Sequence, residues 1–559
     1  MKEGPTKMKS MKKLVTLLLS LVMLCALAMP AMAEGDGNYS ITINGAVAGH
    51  TYTAYQVFSG VYYKGSRQNG TSADKEYLSD VEWGKDVDGT AIVKELQATT
   101  TLKKLRDKFD TVNADDTDAA EKVAYILQGL GDQSEELDEF ARVVGHHLRA
   151  DKNSGSAVIL ADDTTKKGTI TGLSAGYYFV KDSDKIAEGE IATKFLVEVV
   201  GNANVTVKAQ APTFDKKIVE NGTTVNGTSA NVGDEITFKL TANVPDMASF
   251  DKYTFTMHDT LSEGLDFNAN SVKVTVNGTQ IHNTAGTSDK YTLTYPTNTE
   301  SSDTFTISFN KDQLKGLVQH TDNTTTFGAT IVVEYTATLN EKALNKDVET
   351  NKAYLEYTND PSGDKIGKTP EITVYVYDFD LTVDKYDGTD GTNNTDKKLK
   401  DAVFVLYKLD ETNNKKYYKQ NADSKVEWVS EADKATATSQ KTDENGKATF
   451  EGLKEGTYYL EETTAPDGYN KLKNSVQVKI KAAYDTNGTL NTTTDPDFKL
   501  EQDANSHYYR VQSIANKAGA VLPSTGGIGT TIFYVLGSIL ALGAAVLLIA
   551  KKRMNGQDR

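Results

Sequence analysis

From Tyr39 the chain alternates between apolar and polar positions, first in Tyr39-Ser40-Ile41-Thr42-Ile43 and, after a turn at Gly49, from Thr51 to Phe58. Period two in β-branched and aromatic residues predicts half-buried strands. From Ala91 to about Arg149 the spacing changes: Ile92, Val93 and Leu96, then Val123, Ile126, Leu127 and Leu130, recur at helical intervals. This predicts a helical insertion within a β unit. Alternation returns at Gly168 and runs through Tyr177 to Val180, Phe195 to Val200 and Val205 to Val207. Pro212 interrupts it, and a second β unit starts at Phe214, with strands expected at Glu235 to Leu240, Tyr253 to Met257, Val272 to Val276, Phe305 to Phe309, Ile331 to Leu339 and Ala353 to Tyr357. After Pro370 one long alternating run, Ile372 to Val383, leads into a third unit. The expected class is mostly β, a tandem of antiparallel sandwiches.

An internal repeat relates two of these units. Thr169-Ile170-Thr171-Gly172-Leu173, followed by Gly176 and Tyr178, matches Thr449-Phe450-Glu451-Gly452-Leu453, followed by Gly456 and Tyr458. The first and third units are therefore expected to share a fold.

The two ends are apolar without alternation. Lys12-Lys13 precedes Leu14 to Leu27, and Ala31-Met32-Ala33 offers small residues to a signal peptidase, so residues 1–33 read as a signal peptide and the mature chain starts at Glu34. Near the other end, residues 532–550 are long enough to span a bilayer, and Lys551-Lys552-Arg553 behind them marks the cytoplasmic side. Nearly everything between lies outside the cell. The only cysteine, Cys25, falls within the signal segment, so the mature chain cannot use disulfides. A net charge of −16 argues against nucleic acid or anionic surfaces as partners. The seven histidines are scattered, with His146-His147 in a helical stretch, and no nucleophile motif points to an enzyme. No cofactor or metal is expected: Asp387-Gly388-Thr389-Asp390-Gly391 lacks the closing spacing of a calcium loop and reads as a solvated turn.

Leu522-Pro523-Ser524-Thr525-Gly526, the apolar helix and the basic tail together resemble a Gram-positive cell-wall sorting signal of the LPXTG type. The resemblance implies that a sortase cuts between Thr525 and Gly526 and joins the chain to peptidoglycan. The run from Tyr458 to Tyr469, Tyr-Tyr-Leu-Glu-Glu-Thr-Thr-Ala-Pro-Asp-Gly-Tyr, resembles the E-box of sortase-assembled pilins. The family resemblance extends over essentially the whole mature chain and is to major (backbone) pilins. It implies immunoglobulin-like sandwiches of the collagen-binding-protein types in the order CnaB, CnaA, CnaB, over 34–209 with the helical insertion, 210–378 and 379–518, followed by the sorting signal at 519–559.

In that family a lysine on the first strand of a domain bonds to an asparagine on the last, promoted by a buried acid. Carried onto this chain, the third domain supplies Lys385, Glu462 and Asn516, and the middle domain Lys216, Asp259 and Asn351. Burial explains the residue types, since it favours a neutral amine and a protonated acid, and the amine can then attack the carboxamide. The acid polarises the carbonyl and relays protons as ammonia leaves. This chemistry occurs once per molecule and makes no enzyme. Lys217 competes with Lys216, but successive strand residues face opposite ways and only one can be internal. Lys216 shares a face with Phe214 and Ile218. In the first domain Asp182 falls opposite Glu462, yet Gly45 stands where Lys385 would, so no bond is expected there.

The resemblance further implies a lysine near the end of the first domain that resolves the sortase thioester of the preceding subunit. Lys208, in Val207-Lys208-Ala209-Gln210-Ala211-Pro212, is the candidate by position alone, since the common Tyr-Pro-Lys tripeptide is missing. The expected function is the structural subunit of a covalent, wall-anchored pilus shaft that supports adhesion. The expected partners are pilin-specific and wall-anchoring sortases, other copies of the chain, minor pilins, peptidoglycan and host surface ligands. A non-polymerised wall-anchored adhesin or minor pilin is the alternative.

Overall fold

Strands that hide every second side chain must bring their hidden faces together, and here they do so in three successive pairs of sheets among the described residues. The computed structural model describes residues 38–519 and 529–554, apart from 66–74, 100–102, 131–133, 161–163, 183–185, 187–188, 208–210, 245–249, 251–252, 283–290, 297–301, 311, 315–328, 347, 361–364, 390–393 and 492–497.

In the first unit Tyr39–Asn44 lies between Lys167–Leu173, antiparallel, and Ala203–Thr206, parallel. This small sheet covers a five-stranded one built on Thr51–Gly65 and Gly176–Lys181. Ile41, Ile43, Tyr52, Tyr178, Val180 and Phe195 fill the space between them. The opposite face of the larger sheet carries Val57, Phe58, Tyr177, Phe179 and Leu196, against which the insertion packs Ile92, Val93, Leu96, Val123, Phe140 and Val144. The strand Gly176–Lys181 is thus buried on both faces, which is why its sequence reads as a continuous aromatic run. Among the described residues four helices form the insertion: Gly89–Ala98, Lys103–Phe109, Ala119–Gln128 and Glu135–His146. The side chain of Asp88 caps the first and that of Ser134 the fourth.

The second unit pairs a six-stranded sheet, which contains Phe214–Glu220, Glu235–Asn243 and Thr330–Leu339, with a seven-stranded one, which contains Thr254–Leu261, Glu349–Thr358 and Ile372–Tyr377. The strand expected from Val272 begins earlier, at Leu265, and is interrupted by a bulge between Asn268 and Lys273. The run expected as one strand from Ile372 to Val383 breaks at Asp378. Ile372–Tyr377 closes one sheet and Phe379–Asp387 opens the next, in the third unit.

In the third unit Phe379–Asp387 sits between Lys447–Leu453, antiparallel, and Tyr508–Asn516, parallel. The facing sheet is built on Val403–Leu409 and Gly456–Thr464. Backbone hydrogen bonds tie the units together, among them Ala192 N–H to Asn359 O at 2.7 Å and Val426 N–H to Val232 O at 2.7 Å. The last helix, Gly529–Met554, carries the membrane-length segment Thr531–Met554. Its 24 residues make about 36 Å, longer than the roughly 30 Å hydrocarbon core.

Candidate functional site

Lys385 and Asn516 meet because the first and last strands of the third unit run side by side. Lys385 is opposite Ile514, and Asn516 lies two residues further on, so the strand period returns it to the face that Lys385 uses. Glu462 reaches them from the facing sheet. All three are buried: Lys385 0%, Asn516 1% and Glu462 2% exposed. Lys385 Nζ lies 2.5 Å from Asn516 Oδ1 and 3.7 Å from Glu462 Oε1. Asn516 Nδ2 donates to the same Glu462 Oε1 at 2.9 Å, and the Leu472 N–H holds the other carboxyl oxygen at 2.7 Å. Burial pushes the Lys385 amine down to about 8, against the opposing pull of Glu462. An amine that can shed its proton therefore sits beside a carboxamide whose orientation the carboxyl group controls.

The middle unit builds a similar cluster across its two sheets. Lys216 points into the core and is 0% exposed, whereas Lys217 faces outward and pairs with Asp215 at 2.9 Å. On the facing sheet Asp259 is opposite Ala353, two residues beyond Asn351, so these two side chains share a face. Lys216 Nζ lies 2.6 Å from Asp259 Oδ2. Burial drives the lysine pKa down and that of Asp259 up, opposing their mutual attraction. Oδ1 of Asp259 and Oδ1 of Asn351 have no hydrogen-bond partner among the described residues.

Between these three stands a residue that the sequence reading missed. The Tyr335 hydroxyl is 2.8 Å from Lys216 Nζ, donates to Asp259 Oδ2 at 2.7 Å, and accepts from Asn351 Nδ2 at 2.8 Å. The lysine does not reach the asparagine directly; Tyr335 bridges them. Glu235–Asn243 explains how: it runs between the strands of Lys216 and Tyr335, pairing Leu240 with both Lys216 and Val333. Tyr335 then lies two residues beyond Val333, on the same face as Lys216. Its only signal in the sequence is a phenol at a core position of an alternating strand, and a buried phenol needs a partner.

In the first unit Asp182 is buried against a histidine rather than a lysine. His50 Nδ1 lies 2.9 Å from Asp182 Oδ2, and Nε2 lies 2.9 Å from Glu190 Oε2. Burial alone would lower the imidazole pKa, but the two carboxylates override it and hold it at about 9. His146 and His147 both contact Glu95. Asp387 is held by Lys397 at 2.6 Å and by the Tyr469 hydroxyl at 3.0 Å. Lys208 and Leu522, Pro523, Ser524, Thr525 and Gly526 lie outside the described residues.

Comparison with known proteins adds what geometry does not. Residues 379–495 match the model of the prealbumin-like fold domain, and residues 514–556 match that of the LPXTG cell-wall anchor motif. The trypsin-resistant surface T6 protein of Streptococcus pyogenes serotype M6 is 26% identical over 423 residues, which cover 66% of this chain and 74% of that protein. Among solved structures, the T6 backbone pilin of serotype M6 Streptococcus pyogenes, described as modular and three-domain, is similar with a TM-score of 0.50 at 17% identity, covering 88% of this chain and 96% of that one. The full-length major pilin SpaD of Corynebacterium diphtheriae covers 88% of this chain and all of that one, with 18% identity and a TM-score of 0.45. With its wall-anchor motif and prealbumin-like domain, this cell-wall-anchored surface chain is an LPXTG-type homologue of the backbone pilins of Gram-positive bacteria.

Proposed function

We propose that this chain is the repeating subunit of a covalent pilus shaft, locked internally by two lysine–asparagine amide bonds and joined to its neighbours through Lys208. The reading divides the mature chain into domains at 34–209, 210–378 and 379–518. A pilin-specific sortase holds Thr525 as a thioester. The Lys208 amine of the next copy then attacks it, forming an amide as the sortase thiol leaves. A wall-anchoring sortase transfers the last subunit to peptidoglycan, and minor pilins and host ligands meet the assembled shaft.

The observation that carries the reading is the buried Lys385 amine, 2.5 Å from the Asn516 carboxamide and beside Glu462. The neutral amine adds to Asn516 Cγ, the Cγ–Nδ2 bond breaks, and ammonia leaves with a proton from the amine. Glu462 as the acid donates a proton to the carboxamide and recovers one as the intermediate collapses. In the middle unit Asp259 takes the same role, and Tyr335 passes the proton between Asp259 and the Asn351 carboxamide. Burial makes both reactions possible, since in water the amine would stay charged.

Intact-mass measurement of the soluble ectodomain tests the internal bonds: two ammonia molecules should be missing, and a mass equal to the plain sequence rejects them. For assembly, cell-wall extracts boiled in detergent should give a ladder of multimers that Lys208→Ala reduces to a monomer band. A ladder that survives with Thr525 on another lysine rejects Lys208, and a single band from the unaltered chain rejects the shaft in favour of a lone adhesin.

A further inference from the structure

Asp378, the residue that breaks the long run between the second and third units, faces a group that the cross-link chemistry does not use. Asp380 stands opposite Tyr509 in the parallel register, so counting back two residues sets Asp378 beside His507. Asp378 and Asp380 share a face for the same reason. His507 is 1% and Asp378 5% exposed. His507 Nε2 lies 3.4 Å from Asp380 Oδ1 and 3.8 Å from Asp378 Oδ2, and one ligand atom from each of the three residues falls within 4.8 Å of the others.

These separations are too long for good hydrogen bonds, and neither His507 Nε2 nor Asp378 Oδ2 has a hydrogen-bond partner among the described residues. They suit another geometry. Ligands about 2.0 to 2.2 Å from a shared ion sit roughly 3.3 to 3.6 Å from one another around a tetrahedron, near the 3.4 and 3.8 Å found here. The remaining imidazole nitrogen, Nδ1, lies 2.7 Å from the backbone oxygen of Lys346, in the second unit. That contact fixes the ring and, with the proton on Nδ1, aims the Nε2 lone pair at the carboxylates, as is usual for a histidine that binds metal. Asp380 Oδ1 is itself steadied by the Gly452 N–H at 3.2 Å.

We propose that Asp378, Asp380 and His507 form a binding site for a divalent transition-metal ion of the zinc class at the junction of the second and third units. One imidazole and two carboxylates suit Zn2+, and the nitrogen ligand disfavours Ca2+ and Mg2+. Two carboxylates neutralise the ion, with Asp378 and His507 buried and Asp380 partly exposed. The ion pins the chain where it crosses between units to the final strand of the third, while His507 holds the second unit through Lys346. It thereby stiffens a junction that no disulfide can staple.

The test titrates Zn2+ alone into the full chain in detergent micelles after removal of metal with a chelator, beside His507→Gln and Asp380→Asn. One ion per chain is expected, with binding weakened at least about ten-fold in each variant and a melting temperature that rises with Zn2+ only in the parent. Absence of binding to the parent, or equal binding in both variants, overturns the proposal. Should a variant fail to fold, X-ray absorption at the zinc edge of the unaltered chain decides instead. One imidazole with oxygen ligands is expected, and oxygens alone overturn the site.

Discussion

In the third unit Phe379–Asp387 lies between an antiparallel strand, Lys447–Leu453, and a parallel one, Tyr508–Asn516; in the first, Tyr39–Asn44 lies between Lys167–Leu173 and Ala203–Thr206 in the same directions. Thr42 pairs with Thr169 as Thr382 pairs with Thr449, which sets Gly45 in the place of Lys385. Thr206 stands where Ser513 does, and three residues on, where the third unit has Asn516, the sequence has Ala209, which lies outside the described residues. Asp182 keeps the place of Glu462 but pairs with His50, whose other ring nitrogen pairs with Glu190. One strand plan thus accommodates a buried acid in two ways. A lysine and an asparagine beside it form a cluster suited to an amide bond, whereas an imidazole beside it forms an ion pair. An amide bond is indifferent to pH and an ion pair is not, so the two units should fail under different conditions.

The largest effect expected from this contrast is in the third unit. Glu462→Ala should leave Lys385 and Asn516 unjoined, so that the intact mass retains one more ammonia. The two residues lie 131 positions apart, and by analogy with a disulfide the lost bond costs about 4 to 5 kcal/mol. Calorimetric melting should fall accordingly, and peptide mapping that still found the two joined would reject the role of Glu462.

Next is the pH response of the first unit. The folded pKa of His50, about 9, lies above its unfolded value of 6.5. The resulting stability is fully present below pH 6.5 and is lost as pH rises through 9, a change on the order of 3 kcal/mol. Hydrogen exchange across Tyr39–Asn44 and Gly176–Lys181, corrected for the intrinsic effect of pH, should quicken over that window. His50→Gln should flatten the response.

A smaller effect is expected from transplanting the cross-link. Gly45 has a φ of +74°, and a Cβ there would collide with the Val207 carbonyl oxygen. Gly45→Lys with Ala209→Asn should therefore destabilise the first unit by about 2 kcal/mol and release no ammonia. A cross-linked product would show that a lysine and an asparagine in those places suffice. The smallest is in the middle unit: Tyr335→Phe preserves the ring but removes the bridge from Asp259 to Asn351. Ammonia release in a refolding time course should slow about ten-fold there, equal to about 1.4 kcal/mol of barrier, while the third-unit bond forms at its usual rate.

Much of the fold was legible without coordinates, because a strand with one buried face must alternate and a helix on a sheet must repeat at 3.6 residues. The units, the helical insertion and the apolar ends follow from Ile41, Leu96, Phe238 and Leu540 being where those periods require. The third-unit set of lysine, acid and asparagine was read through the motif around Glu462, and the middle-unit set through the family resemblance around Lys216, Asp259 and Asn351. Alternation also turned Lys216 inward rather than Lys217. Alternation alone does not mark the break at Asp378, since both sides of it alternate; the boundary between 378 and 379 was read from the family resemblance, and the strands on either side of it lie in different sheets.

What tertiary structure alone decided is which distant side chains share a face. Tyr335 joins Lys216 through an intervening strand, His50 finds Asp182 and Glu190 across 132 and 140 positions, and His507 comes beside Asp378 and Asp380 by the parallel pairing of a first strand with a last. Local pattern records whether a side chain is inside. Its neighbours there are set by strand order and register, which depend on the packing of the whole sandwich and leave no mark at fixed spacing along the chain.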